Sequence, residues 1–397
     1  PDALNFNEEA TADDGSCIYQ EFDLDAVYDS GYSDGFVDGE NSVICPETSS
    51  CPSDLNGDGS VGMSDLLIFL SSFGDVAMTV PIVGLLRSKY PEMKITIVTT
   101  EFFSVLYNQI SNIHFLFFKQ KHKTFIGLYS LYKEINRLSP DYIVDLHNVL
   151  RTKLLRGILL LSTNSVKAHL VLDKGRKEKK ELINGSTFKR LKSTHQRYAD
   201  VFYGLNIKLD LEKFKFYKKI DISNKKHKFN PDNKLIGIAP FARHICKEYS
   251  MKNILELIDS LNHSCEILIF GASGNEEKKI KKICKERKNT YNVSSNYSLD
   301  EQMAVISNLE LLISMDSANG HIASIFGINV ITIWGATHPF TGYSPFMQPD
   351  INSITPDIKA FPKLPVTIYG SNCPENYSEA INSIKTKTIL ERVSDII

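Results

Sequence analysis

Residues 65–81 read DLLIFLSSFGDVAMTVP, and this stretch decides the fold that we expect. Leu66 to Leu70 is an uninterrupted apolar run of strand length, followed by a polar turn and then an amphipathic stretch. Gly74 permits an unusual backbone angle, and Asp75 stands where a carboxylate complements a helix N-terminus. The stretch therefore predicts a strand, a tight turn and a helix. Asp75 is either a helix cap or a catalytic carboxylate at the crevice where open α/β sheets bind ligands.

The charge of the chain divides near residue 75. Residues 1–75 hold 17 of the 47 acidic residues and none of the 45 basic ones, so the rest of the chain has a surplus of 15 basic residues. An acidic tail joined to a basic body indicates two pieces with different partners. The basic body suits anionic substrates or an anionic membrane surface, and we expect no nucleic-acid partner. Asp75, Pro81 and two glycines interrupt the apolar residues 66–86, so we expect no transmembrane segment.

The acidic tail, residues 1–64, contains the start of one candidate calcium loop over residues 54–65. Oxygen ligands at alternating positions wrap a hard cation, and a glycine at the sixth position permits the sharp turn of such a loop. The candidate ligands are Asp54, Asn56, Asp58 and Asp65. The spacing resembles one half of a dockerin-type calcium repeat, which would make calcium a possible ligand of the tail. The alternative is a solvated acidic turn without a bound ion.

The two patterns conflict at Asp65. A dockerin-like loop should be followed by a helix that starts near Asp65, whereas the sheet needs Leu66 to Leu70 as a strand. Burial favours the strand, because a large domain without its first central strand would expose a long sheet edge. Cysteine usage also divides, since the tail looks extracellular in type and the later cysteines look like free thiols in a reducing compartment. The tail cysteines are Cys17, Cys45 and Cys51, and the later ones are Cys246, Cys265, Cys284 and Cys373.

The body alternates strand-like apolar runs with helical patterns, which is typical of parallel sheets covered on both faces. We expect one Rossmann-like domain over residues 65–205, a linker over 206–233, a second Rossmann-like domain over 234–375, and a terminal helix over 376–397. Residues 174–197 break the alternation with Lys and Arg, which indicates either a solvated surface or a docking face for an anionic acceptor or lipid head groups. Two such domains leave a cleft between the carboxyl ends of their strands.

Three groups of residues follow predicted strands of the second domain. Lys247 carries a flexible ammonium that can reach a phosphate. Asp316 begins the sequence DSANGH, whose small residues let helix N-terminal amides approach a phosphate. The third group, residues 335–339, contains Thr337. Each group has a simple structural alternative: a solvated lysine, a capped helix with a core histidine, or a turn.

Taken together and in order, these features resemble glycosyltransferase family 9, the ADP-heptose:lipopolysaccharide heptosyltransferases. The resemblance runs from about residue 66 to the C-terminus. It is carried by SSFGDVAMTVP at 71–81, DLHNVLRT at 145–152, Lys247 with Tyr249, FGASGNEE at 270–277, MDSANGHIA at 315–323 and WGATHP at 334–339. It implies an α/β GT-B fold with two Rossmann-like domains facing a cleft. It also implies inverting transfer of a heptose from ADP-heptose to a lipopolysaccharide-core or Kdo-lipid acceptor at the membrane surface, with no cofactor or metal required.

The resemblance also implies roles for individual residues. Asp75 matches the general base, Lys247 the lysine that contacts the diphosphate, and Asp316 the carboxylate near the donor sugar. Glu276 is expected near the donor ribose. The remaining donor-binding positions are Ser317, Ala318, Asn319, Gly320, His321 and Thr337.

Two other functions remain open from the sequence. One is a secreted calcium-binding or adhesion protein in which the tail is the working part and the body is inert. The other is a transferase of a different nucleotide sugar on the same fold. The heptosyltransferase interpretation predicts a cytoplasmic enzyme peripheral to the inner membrane, which conflicts with the extracellular character of the tail.

Overall fold

The structure, a computed structural model, describes residues 65–69, 73–162, 166–222, 229–230, 232–261, 265–294, 297–371 and 373–397. Three of the candidate calcium ligands, Asp54, Asn56 and Asp58, lie outside these residues. The fourth, Asp65, begins a strand and pairs in register with Lys94 of the neighbouring strand. The conflict at this position is therefore resolved in favour of the strand.

The first sheet is parallel and has the strand order β3-β2-β1-β4-β5. Its strands are β1 (Asp65–Phe69), β2 (Lys94–Thr99), β3 (Ile113–Phe117), β4 (Tyr142–Asp145) and β5 (Ala168–Val171). Strand β1 pairs with both β2 and β4, which confirms the prediction that the opening apolar run is the central strand. Its bounds lie one residue earlier than expected.

Both faces of β1 are buried, which explains why its sequence is apolar without alternation. Leu66 and Ile68 pack in one core, and Leu67 and Phe69 pack in another on the opposite face. The helices between these strands are α1 (Phe73–Lys89), α2 (Glu101–Ser104), α3 (Phe125–Leu138) and α4 (Leu150–Ser162). Residues of α1 contribute to the first core and residues of α3 and α4 to the second.

The basic stretch and the expected linker are more structured than the sequence indicated. Residues 174–197 contain helix α5 (Arg176–Ile183) and the first half of helix α6 (Thr194–Val201) rather than an irregular loop. In the linker, Tyr217 is buried, its hydroxyl donates to the carbonyl of Leu106 at 2.8 Å, and its amide donates to the carbonyl of Ile325 at 2.9 Å. This segment therefore connects the two halves by packing against both.

The second sheet is also parallel, with the order β11-β10-β9-β6-β7-β8. Its strands are β6 (Leu235–Ala239), β7 (Glu266–Phe270), β8 (Thr290–Val293), β9 (Leu311–Met315), β10 (Asn329–Ile333) and β11 (Ser353–Ile354). Its helices are α7 (Met251–Leu261), α8 (Asn275–Glu286), α9 (Leu299–Ile306), α10 (Ala318–Ile325) and α11 (Thr386–Ser394). The predicted architecture, two parallel-sheet α/β domains, is confirmed.

The terminal helix is shorter than the expected 376–397. Only α11 is α-helical there, and two short 3₁₀ turns precede it. Asn382 explains part of the difference, because its side chain accepts a hydrogen bond from the amide of Ser250 at 2.7 Å and ties this segment to the start of α7. Within the described ranges, no helix is long and apolar enough to cross a bilayer.

Candidate functional site

The carboxyl ends of the two sheets meet through helices α1 and α10. Asp75 lies in the first turn of α1, directly after the central strand of the first sheet. His321 lies on α10, and a β-carbon placed on Gly74 would be only 3.9 Å from its ring. Val76 of α1 and Ile322 of α10 belong to one continuous hydrophobic core. Asp75 is therefore held beside the edge of the second sheet.

Two side chains from neighbouring strand ends converge on the Asp316 carboxylate in the second sheet. Asp316 follows β9, Lys247 lies in a 3₁₀ turn beyond β6, and Thr337 follows β10. The ammonium of Lys247 lies 2.9 Å from Oδ2 of Asp316, and the hydroxyl of Thr337 donates to the same oxygen at 3.0 Å. Because β10, β9 and β6 are adjacent in the sheet, the fold brings together three residues that are far apart in sequence.

The N-terminus of α10 starts directly beside this carboxylate. Ser317 precedes the helix, and its hydroxyl lies 3.1 Å from that of Ser314 instead of capping the helix. Ala318 and Asn319 are half-buried in the first turn, where backbone amides lack carbonyl partners within the helix. Gly320 instead packs inward, since a β-carbon there would lie 3.3 Å from Pro345. The accessible part of this turn is thus its start, residues 317–319.

His321 is buried between the two sheet edges. Burial lowers its pKa to about 4, against the opposing charges of Asp316 and Asp75. A second buried histidine, His195, lies with its ring centre 6.4 Å away, and burial lowers its pKa to about 3. Within the described part of the chain, Nδ1 of His321 has no hydrogen-bond partner. Both rings are therefore neutral at pH 7.

Asp75 has neighbours that the sequence did not predict. The hydroxyl of Tyr198, on α6, lies 3.4 Å from Oδ1 of Asp75. Burial raises the pKa of Tyr198 well above its ordinary value, and the charge of Asp75 adds to this effect. The phenol therefore stays protonated and can donate a hydrogen bond to the carboxylate.

Lys179, on α5, is a buried lysine near the same carboxylate. Its ammonium donates to the hydroxyl of Tyr343 at 2.7 Å and lies 4.4 Å from the centre of that ring. Burial, together with the charge of Arg197, lowers the pKa of Lys179 to about 7, and the charge of Asp75 opposes this shift. Tyr343 belongs to the second half of the chain, so Lys179 links the two halves beside Asp75. The sequence signal was hidden, because Lys179 lies among five other charged residues of α5.

Glu276 lies in the first turn of α8, which follows β7. In the sheet, β6 separates β7 from β9. Its carboxylate accepts a hydrogen bond from the amide of Ala272 at 2.7 Å, and this bond holds it over the loop that follows β7. The structure thus brings Asp75, Lys247, Asp316, Thr337 and the start of α10 together around His321, with Glu276 farther along the edge of the second sheet. Among the residues that can be described, no group of three or more His, Cys, Asp or Glu is arranged to hold a metal ion.

Comparison with known proteins finds similar sequences over part of the chain. Residues 185–363 match the family model of glycosyltransferase family 9 (heptosyltransferase). Lipooligosaccharide heptosyltransferase 2 of Campylobacter jejuni is 26% identical over 192 residues, which are 46% of this chain and 56% of that protein. The aligned region thus spans little more than half the length of this curated relative.

Solved structures share the fold. A glycosyl transferase of family 9 from Veillonella parvula superposes with a TM-score of 0.65 at 17% identity, covering 84% of this chain and 97% of that one. The heptosyltransferase WaaC of E. coli, solved with ADP, superposes with a TM-score of 0.59 at 14% identity, covering 84% and 100%. The fold is therefore the GT-B-like fold of these enzymes, and the sequence similarity to glycosyltransferase family 9 covers residues 185–363.

Proposed function

We propose that this protein transfers a heptose from ADP-heptose to a lipopolysaccharide-core acceptor, with inversion at the anomeric carbon and without a metal ion. The observation that carries the proposal is the meeting of two sheet edges, one with Asp75 and the other with Lys247 and Asp316. A GT-B transferase needs this arrangement, because acceptor and donor reach the reaction from opposite domains. The Campylobacter relative and the WaaC structure are both named heptosyltransferases, which supports the choice of sugar.

Asp75 is proposed as the general base. Its carboxylate takes the proton of the acceptor hydroxyl while that oxygen forms a bond to the anomeric carbon of the donor. The bond from this carbon to the diphosphate oxygen breaks on the opposite face, so the configuration inverts and ADP leaves with the bonding electron pair. Tyr198, whose hydroxyl lies 3.4 Å from Asp75, orients the carboxylate for this step.

Lys247 and the start of α10 are proposed to stabilise the leaving diphosphate. The ammonium of Lys247 is fixed 2.9 Å from Asp316, and Thr337 holds the same oxygen of Asp316. The charge therefore stands in place before the donor binds, and little reorganisation is needed as negative charge develops. The amides near Ser317, Ala318 and Asn319 can receive a phosphate oxygen, as helix N-termini commonly do. Glu276 is proposed to face the ribose.

The acceptor is proposed to be lipid-linked, which would place the enzyme in the cytoplasm at the inner membrane. No function is proposed for the tail, and the calcium ligands Asp54, Asn56, Asp58 and Asp65 stay a sequence prediction. A transferase of another nucleotide sugar is the second candidate, because the contacts at Lys247 and α10 would serve any sugar diphosphate.

The test is a transfer assay with purified full-length protein, a Kdo-lipid acceptor, and ADP-heptose beside UDP- and GDP-sugars. We expect turnover with ADP-heptose alone, and unchanged turnover in excess EDTA. Turnover that collapses in EDTA and returns with Mg²⁺, Mn²⁺ or Fe²⁺ would contradict the metal-independent mechanism. Preference for another nucleotide sugar would contradict the donor assignment, and calcium binding without any transfer would favour the secreted calcium-binding alternative.

A further inference from the structure

Large apolar side chains are exposed along one edge of the first sheet. Helices α2, α3 and α4 follow strands β2, β3 and β4, so their first turns lie at the carboxyl edge that also carries Asp75. Phe125 and Ile126 on α3 are 77% and 85% exposed, and Leu150 on α4 is 51% exposed. Phe102 on α2, Tyr129 on α3 and Leu154 on α4 are also exposed. Grouped apolar side chains of this size mark an interaction surface, and we refer to these six residues as the edge surface.

The chain around the α3 and α4 part of the edge surface is strongly cationic, whereas Glu101 adjoins Phe102 on α2. Residues 118–137 contain five Lys or Arg residues and one acidic residue, and residues 148–162 contain three basic residues and no acidic one. The single acidic residue, Glu134, pairs with Lys121 at 3.3 Å. Lys119, Lys123 and Lys133 are exposed. These lysines form a cationic rim beside the exposed apolar side chains. Such a rim complements a partner whose outer layer is anionic and whose interior is apolar.

Aromatic rings hold two of these cations at the edge. The ammonium of Lys133 lies 4.8 Å from the centre of the Tyr129 ring, and the guanidinium of Arg151 lies 5.2 Å from that of Phe118. Such contacts keep positive charge beside the apolar side chains instead of letting it extend away into solvent. The charge also argues against a second copy of the chain as the occupant, because a symmetric contact would place two cationic rims against each other.

We propose that the edge surface docks this protein on an anionic lipid bilayer, with Phe125 and Ile126 inserted among the head groups and the lysines on the lipid phosphates. Apolar burial supplies adhesion, and each lysine near the surface adds electrostatic attraction. The inference rests on the proposed function in one respect: a lipid-linked acceptor requires the cleft beside Asp75 to reach the membrane, and this docking turns that edge toward it.

The experiment is sedimentation of the full-length protein with vesicles of phosphatidylcholine, either alone or with about 30% phosphatidylglycerol. We expect binding to the mixed vesicles only. The double variant Phe125→Ser/Ile126→Ser should lower the partition coefficient at least about tenfold, because two large apolar anchors are lost. Lys123→Glu should lower it about fivefold or more, and added salt should weaken wild-type binding.

Matched controls come from the second half of the chain. Ile351 and Lys282 are exposed there, and Ile351→Ser and Lys282→Glu should bind the vesicles like the wild type. Absence of wild-type binding to the anionic vesicles, or equal binding by the edge variants, would overturn the proposal. So would a dimeric wild type that becomes monomeric in the double variant with unchanged vesicle binding, because the surface would then be an interface between copies.

The vesicle measurement is independent of catalysis, so the two proposals fail separately. Transfer to a soluble, delipidated acceptor without vesicle binding would contradict only the membrane surface. Vesicle binding that depends on Phe125 and Ile126, without any heptose transfer, would contradict only the proposed function.

Discussion

The ammonium of Lys247 lies 2.9 Å from Oδ2 of Asp316, and both groups are largely buried at the ends of neighbouring strands. A lysine held this way presents its charge at a fixed point of the cleft. In the proposed mechanism this ammonium faces the leaving diphosphate, so the second sheet needs no cation from solution.

Replacement of Lys247 by Ala should cost about 2–4 kcal/mol of transition-state stabilisation, expressed mostly in kcat, because the contact strengthens as the diphosphate leaves. Lys247→Arg should recover only part of this loss, since a planar guanidinium does not place its charge where a compact ammonium does. Steady-state kinetics with ADP-heptose would measure both variants. Near-normal kcat in Lys247→Ala would remove this residue from the mechanism.

Lys179 should act on Asp75 through charge rather than through substrate contact. The pKa of Lys179 is lowered to about 7, so its positive charge beside Asp75 is present below about pH 7 and is lost as pH rises. Lys179→Met removes this titration, so we expect the kcat profile to lose a limb near pH 7, whereas Lys179→Arg should keep the charge across the whole profile. An unchanged profile in Lys179→Met would assign this lysine a purely structural role.

Although Lys179 is proposed to assist the reaction, its buried charge should lower the stability of the folded protein. Its pKa is lowered from 10.5 to about 7 in the folded protein, so burial of the charged form costs stability at and below pH 7 and costs progressively less as pH rises toward 10.5. Lys179→Met should therefore unfold at the same or a higher temperature than the wild type at pH 7. A lower melting temperature, measured by calorimetry, would show that the bond to Tyr343 outweighs the buried charge.

Acid should destabilise the fold through its buried histidines. The pKa of His195 is lowered to about 3 and that of His321 to about 4, below the 6.5 of the unfolded chain. The two neutral histidines make their full contribution to the free energy of unfolding above about pH 6.5. As pH falls from there through the lowered pKa values, this contribution is lost, by about 1.4 kcal/mol per pH unit for each histidine. Urea unfolding at pH 7 and pH 5 would measure the slope. His195→Phe should reduce it, and an unchanged slope in that variant would contradict the assignment.

The strands were the most predictable part of the fold. β2, β6, β7 and β9 coincide with apolar runs in the sequence, because buried parallel strands are apolar on both faces. Helix α5 was missed because six of its eight residues are charged and only Leu182 and Ile183 give an apolar signal. Its burial comes from packing against other parts of the chain, which a local pattern does not contain.

The candidate site was predictable only where it has local motifs. Asp75, Lys247 and Asp316 each follow a strand with a recognisable sequence. Lys179 and Tyr198 do not, since their relation to Asp75 spans more than 100 residues and arises only when α5 and α6 pack against the end of α1. Parallel-strand topology fixes the positions of the residues with local motifs. Tertiary packing alone fixes those of Lys179 and Tyr198.

The central claim is that Asp75 is the general base, and single-turnover transfer by Asp75→Asn tests it most directly. The amide keeps the shape of the side chain and its hydrogen bond with Tyr198 but cannot take the acceptor proton. With donor binding measured separately by calorimetry, we expect an unchanged Kd for the donor and a transfer rate at least about a hundredfold lower. A near-normal rate with the Kdo-lipid acceptor would show that Asp75 is only a helix cap.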